Sequence, residues 1–196
     1  MYNIDDIRNK ILKKFNHKHF FDGVRVFMLT KRNKEGGKSH HPDRVATKII
    51  TTNIREAEEA IETLLEQIGE NERIYMSVNS RNMEKAIRKF KEMMLASDYD
   101  QISIRNKFYI DIRNRFISAL MKPTSRKTSY FLIDVDNEEE LNYFIRFLSE
   151  NKIEIWERIP TKNGEHFIVD PFNPNLVDEK FINCIKKDAM VLLYWT

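Results

Sequence analysis

Apolar residues recur along the chain with two different periods, and the switches between them predict its elements. Ile4, Ile7, Ile11 and Leu12 share one side of a short helix over residues 4–15, and Val24 to Thr30 reads as a strand. Lys31 to Arg44 holds Gly36-Gly37, His40-His41 and Pro42 with no period, which predicts a basic loop. Val45 to Thr51 is β-branched and predicts a second strand; Ala57, Ala60, Ile61, Leu64, Leu65 and Ile68 return at helical spacing within 56–68. Arg73 to Val78 predicts a third strand, followed by a helix that aligns Met83, Ala86, Ile87, Phe90, Met93 and Met94 as core. Residues 1–100 are thus expected to form an α/β lobe. A helix over 101–121, basic on its outer side through Arg105, Lys107, Arg113 and Arg115, makes 101–129 a connector that Pro123 breaks.

From Tyr130 the order becomes strand 130–135, helix 138–150, strand 153–159, strand 165–169, helix 175–185 and strand 189–195. That β-α-β-β-α-β order commonly closes into one antiparallel sheet with strand order 4-1-3-2, the ferredoxin-like arrangement of RNA-recognition modules and polymerase palms. The expected class is α+β: an N-terminal α/β lobe packed on a C-terminal RRM/ferredoxin-like lobe over 130–196, within one domain spanning 1–196.

Composition narrows the reading. With 196 residues, 41% hydrophobic and 11% aromatic, the chain builds a core and is too aromatic for a disordered segment. No apolar run approaches the ~20 residues of a membrane span, and the N-terminus lacks the layout of a signal peptide, so a soluble cytoplasmic protein is expected. A single cysteine, Cys184, excludes an internal disulfide and a zinc ribbon. Net charge is only +3, yet it is unevenly placed: 12 Lys/Arg against 5 Asp/Glu in residues 1–48, 7 against 11 in 49–100, 7 against 1 in 101–129, and 7 against 13 in 130–196. Carboxylates collect divalent cations while Lys and Arg neutralise phosphates, so an acidic third beside basic segments suits a metal site facing a polyanion. Ordinary solvated faces would look the same by charge alone.

Three places carry candidate chemistry. Asp134 and Asp136 end the apolar strand Phe131-Leu132-Ile133, and period-two alternation puts both on one face, where they can share a metal ion. The plainer reading makes Asp136 or Asn137 a helix cap, which leaves Asp134 unexplained, since Asp gains nothing inside a strand without a partner. In Thr161-Lys162-Asn163-Gly164-Glu165-His166, Asn-Gly signals a hairpin, while Lys162 as a point charge and His166 as a donor would suit a phosphate. Asp188 precedes the last strand, where a lone Asp is usually a turn residue. In the 4-1-3-2 sheet the end of strand 1 lies beside the starts of strands 3 and 4, so the three places converge on one edge.

These motifs, in this order, resemble the archaeo-eukaryotic primase (primase-polymerase) superfamily. Its members pair an α/β lobe with an RNA-recognition-like lobe and carry an apolar strand ending in Asp-x-Asp, here Asp134-Val135-Asp136. A small residue two before a histidine follows, here Gly164-Glu165-His166, and then an apolar-flanked acid, here Asp188. The second motif often has Ser where this chain has Gly164, and the Cys/His cluster of many primases is absent. The resemblance implies a metal-dependent nucleotidyltransferase that adds nucleotides to a 3′-hydroxyl on a template. Asp134, Asp136 and Asp188 would act as catalytic ligands for Mg²⁺ or Mn²⁺, and His166, Lys162 and Gly164 would bind the nucleotide. Expected partners are nucleoside triphosphates, single-stranded or primed DNA or RNA, and an accessory replication protein, with no membrane. Lys31, Arg32, Lys34, Arg126 and Lys127 would track the nucleic-acid backbone. Two alternatives stay open: an RRM-like single-strand binder without chemistry, stacking bases on Tyr130 and Phe167, and a metal-dependent nuclease. His17, His19, His40 and His41 read as solvated loop histidines. Asn79 or Ser80 reads as the cap of the helix that follows, with Arg81 at a strand end able to face nucleic acid.

Overall fold

In a computed structural model the described residues are 4–14, 23–31, 45–96, 110–161 and 163–196. The elements in chain order are α1 (Ile4–Lys14), β1 (Arg25–Lys31), β2 (Val45–Thr51), α2 (Ile54–Gln67), β3 (Glu72–Ser77), α3 (Met83–Ala96) and α4 (Ile112–Leu120). There follow β4 (Phe131–Val135), α5 (Glu138–Glu150), β5 (Ile155–Pro160), β6 (Glu165–Val169), β7 (Ile185–Lys186) and β8 (Met190–Trp195). Two four-stranded antiparallel sheets result, ordered β2-β1-β3-β8 and β5-β6-β4-β7, so the protein is α+β. Among the described residues no helix is long and apolar enough to cross a membrane.

Alternation along the strands decides what each sheet face covers. Phe27, Leu29, Ile74, Met76, Val191 and Leu193 of the first sheet share one buried cluster with Ala57, Ala60, Ile61, Leu64 and Leu65 of α2. Leu132, Ile159 and Ile168 of the second sheet belong to the same cluster, so the two sheets are joined by a common core. The reverse of the first sheet, through Val24 and Val26, packs on Ala86 of α3 and on Ile117 and Leu120 of α4. The reverse of the second sheet, through Phe131, Ile133, Val135, Phe167 and Val169, packs on Phe144, Phe147 and Leu148 of α5 and on Val177 and Phe181.

Three expectations need correction. The strand expected at 189–195 forms as β8 but pairs with β3 in the first sheet, with Met76 opposite Val191. There Val191 and Leu193 enter the common core, and the place beside β4 goes to the two-residue β7. The helix expected over 175–185 is instead two 3₁₀ segments, Pro174–Leu176 and Glu179–Cys184. The Asn173 and Asp178 side chains accept from the Asn175 and Lys180 amides, at 3.1 and 3.2 Å, and these local bonds start new turns where a helix would have to continue. Finally, α3 is capped by Asn82, which accepts from the Lys85 amide at 3.0 Å, because Asn79 and Ser80 are buried and engaged elsewhere.

Candidate nucleotide site and inter-sheet junction

Antiparallel pairing of β4 with β6 sets Asp134 directly opposite His166. Both side chains emerge on the sheet face that carries Leu132 and Ile168, since directly opposed residues share a face. His166 Nε2 lies 3.1 Å from Asp134 Oδ1, with the histidine side chain 10% exposed and the aspartate 37%. The inner ring nitrogen, His166 Nδ1, is buried without a protein hydrogen-bond partner among the described residues.

The hairpin before His166 is held by its own small residues. Thr161 N–H donates to Gly164 O at 2.8 Å, and Gly164 N–H donates to Thr161 Oγ1 at 3.1 Å. Gly164 passes so close to the end of β4 that a Cβ there would stand 1.9 Å from the Val135 carbonyl oxygen. Glycine is therefore required here by space, and the side chain often found at this position in the resembled motif has no room. Arg158 braces the hairpin by donating through Nε and Nη2 to Glu165 Oε2, at 3.0 and 2.6 Å, with its guanidinium 5.0 Å from the Phe167 ring centre.

Asp136 lies just past β4, and its carboxylate is exposed. It does not cap α5: Asn137 does, accepting from the Glu140 amide at 3.0 Å, while Glu140 Oε2 reaches back to the Asp136 N–H at 2.8 Å. Capping thus explains Asn137 and Glu140 and leaves the exposed Asp136 carboxylate without a capping role. Asp188 is committed elsewhere. Arg81 Nη2 donates to its Oδ1 at 2.7 Å and Nη1 to its Oδ2 at 3.1 Å. Among the described residues no group of three or more His, Cys, Asp or Glu side chains is placed to hold a metal ion. The structure therefore brings Asp134 and His166 together and gives Asp188 a cationic partner.

Arg81 belongs to a mostly polar run, Ser77 to Arg81, that begins at the last residue of β3 and is buried throughout, its one apolar member Val78 lying in the core. Arg25 lies in the same junction, donating through Nη1 to the carbonyls of Ser77 and Val78 at 2.8 and 2.6 Å. Burial pulls its guanidinium down to about 9, opposed by Tyr130 and aided by the neighbouring charge of Arg81. Burial likewise raises the Tyr130 hydroxyl, with Asp170 adding to it. Cys184 is pushed up to about 11, first by burial and then by Glu140, with smaller contributions from Asp134 and Asp136.

The remaining expected residues separate. Lys31 ends β1 opposite Glu72, whereas Arg32, Lys34, Lys162, Arg105, Lys107 and the four histidines between 17 and 41 lie outside the described residues. Arg126 donates to the carbonyls of Pro123 and Lys187, at 3.2 and 2.8 Å, so it clips loops together, while Lys127 is exposed. Phe167 is completely buried against α5 and offers no stacking surface, and Tyr130 meets Trp156 edge-on at 5.5 Å. Arg25 went unnoticed in the sequence, while Asn79, Arg81 and Asp188 were expected in other roles, as a helix cap, a nucleic-acid contact and a metal ligand. Their one signal is the run Ser77-Val78-Asn79-Ser80-Arg81-Asn82, polar but free of Gly and Pro directly after an apolar strand.

No family model matches the chain, no curated protein matches it, and no solved structure matches its fold.

Proposed function

We propose that the protein is a metal-dependent nucleotidyltransferase of primase-polymerase type, working at the Asp134–His166 edge of the second sheet. The observation that carries this reading is the cross-strand placement of His166 against Asp134, with Asp136 exposed at the strand end, because carboxylates can hold a divalent cation and a histidine can donate to a phosphate. The order β5-β6-β4 supports the reading as well, being the 2-3-1 arrangement expected of the first three strands of an RNA-recognition-like lobe.

Mg²⁺ is commonly bound by one or two carboxylates with substrate phosphates and water completing the shell, and Asp134 with Asp136 supply such a pair. Asp188, whose two oxygens both accept from Arg81, does not fit. Asp134 and Asp136 would hold Mg²⁺ or Mn²⁺, which when bound supplies charge neutralisation for phosphates and a lowered pKa for a 3′-hydroxyl. His166 would orient the triphosphate through Nε2, the nitrogen that reaches Asp134 in this structure, once a cation engages the aspartate. Arg158 and Glu165 keep the Gly164 hairpin in place.

Labelled nucleotide incubated with Mn²⁺ and primed or unprimed template tests the reading. Extension of the primer is the expected result. Shortening of the strand would make the protein a nuclease, and a mobility shift without conversion would make it a binding module.

A further inference from the structure

The chain passes between the two sheets at Lys187–Asp188, since Lys186 ends β7 in the second sheet and Met190 opens β8 in the first. Three side chains from elsewhere hold this crossing. Arg81 takes both oxygens of Asp188, while Arg126 Nη1 and Asn79 Nδ2 donate to the Lys187 carbonyl at 2.8 and 3.4 Å. The other crossing, into β4, is held by the same run: Asn79 Oδ1 accepts from Tyr130 N–H at 2.7 Å and Asn79 Nδ2 donates to Tyr130 O at 3.0 Å. Arg81 is in turn anchored through its backbone, which donates to Val24 O at 2.7 Å and bridges to Arg126.

We infer that Arg81 and Asp188 form a clasp that fixes the second sheet, and with it the Asp134–His166 edge, against the first, and that Asp188 is a positioning residue and not a metal ligand. The Arg81 side chain is fully buried and that of Asp188 is 14% exposed. Losing the carboxylate would strand a buried guanidinium beside a second one, Arg25. A divalent ion recruiting Asp188 would have to displace Arg81 and add its own charge to that cationic junction. Only the statement about metal rests on the proposed function; the clasp stands on the geometry alone.

The test measures Mn²⁺ binding, with Mn²⁺ as the only ligand, by electron paramagnetic resonance of the free ion, together with the melting temperature of the full chain. Asp188→Asn and Arg81→Met are each expected to lower the midpoint by roughly 6 °C or more, as loss of one partner of a buried pair does. Arg81→Met combined with Asp188→Leu is expected to recover most of that loss while binding Mn²⁺ within about twofold of wild type, whereas Asp134→Asn weakens it about tenfold. A recovered midpoint with Mn²⁺ binding as weak as in Asp134→Asn would make Asp188 a ligand and overturn the inference. Additive losses of midpoint would overturn the clasp. If the double variant does not fold, Asp188→Asn decides the metal question by the same twofold and tenfold marks. Should wild type bind no Mn²⁺, the proposed function fails, and the inference is judged by the additivity of the midpoints.

Discussion

A methyl group at residue 164 would collide with the Val135 carbonyl, so Gly164→Ala must move either the hairpin or the end of β4, and both carry the site. The expected cost is about 1–3 kcal/mol in denaturant unfolding, with a displaced His166 imidazole resonance; an unshifted resonance would show that the hairpin does not position the ring. His166→Ala is expected to weaken nucleoside triphosphate binding about ten- to hundredfold, the value of a charge-assisted bond, and to leave single-stranded DNA binding unchanged. Equal losses for the two ligands, measured by separate titrations, would reduce the histidine to a structural role. Cys184 supplies a pH test. Its folded thiol keeps the proton up to about 11 against an ordinary 9.0, so the folded state binds the proton more tightly. That contribution to stability is fully present below pH 9.0 and is lost as pH rises through about 11. Alkylation at pH 8 is therefore expected to be far slower in the native chain than in the unfolded one, and equal rates in a mass-spectrometric time course would contradict the burial argument. At this scale the meeting of Asp134 with His166 was legible because strand alternation and antiparallel neighbours follow from simple periods. Arg81 was not, since a guanidinium that ends up buried looks in sequence like one that faces solvent.

The helices show what makes an element readable. α5 spans Glu138–Glu150 as expected because its signals agree: Asn137 caps it, Glu140 reaches back, and the apolar positions fall on one side. Phe144 from that side is completely buried among Tyr143, Phe147 and Phe181, whereas the adjacent Ile145 is exposed. Phe144→Ala is expected to cost about 3–5 kcal/mol and Ile145→Ala less than about 1 kcal/mol; comparable losses in denaturant melts would mean that α5 does not pack as described. The stretch 175–185 misled because Val177, Phe181 and Ile185 are spaced like a helix face while Asp178 sits between them as a cap. Side-chain oxygens accepting nearby amides compete with the helical ladder, and here they prevail twice within a few residues, at Asn173 and Asp178. The apolar residues still reach the core, through 3₁₀ turns.

At the scale of the whole molecule the question is which sheet claims which strand. Val191 and Leu193 alternate in a way that either sheet would satisfy, so periodicity predicted β8 and could not predict its neighbour. The outcome has a mechanical consequence. Leu132, Ile159 and Ile168 of the second sheet are buried in the same cluster as Phe27, Ile74 and the residues of α2, and β8 closes the first sheet although it follows the second in the chain. A cut after residue 129 would therefore expose the edge of β3 in one piece. In the other it would uncover Leu132, Ile159, Ile168, Val191 and Leu193 together. Each large apolar side chain so uncovered forfeits about 1.5–3 kcal/mol, which five residues turn into a loss comparable with the whole stability of a domain. Residues 1–129 and 130–196 produced separately are each expected to lack a cooperative thermal transition, and the mixed pieces are expected to regain one. The check is near-ultraviolet circular dichroism with heating. A sharp, native-like melt from residues 130–196 alone would mean that the second sheet folds without the first, and the common core would then be a contact between two independent units.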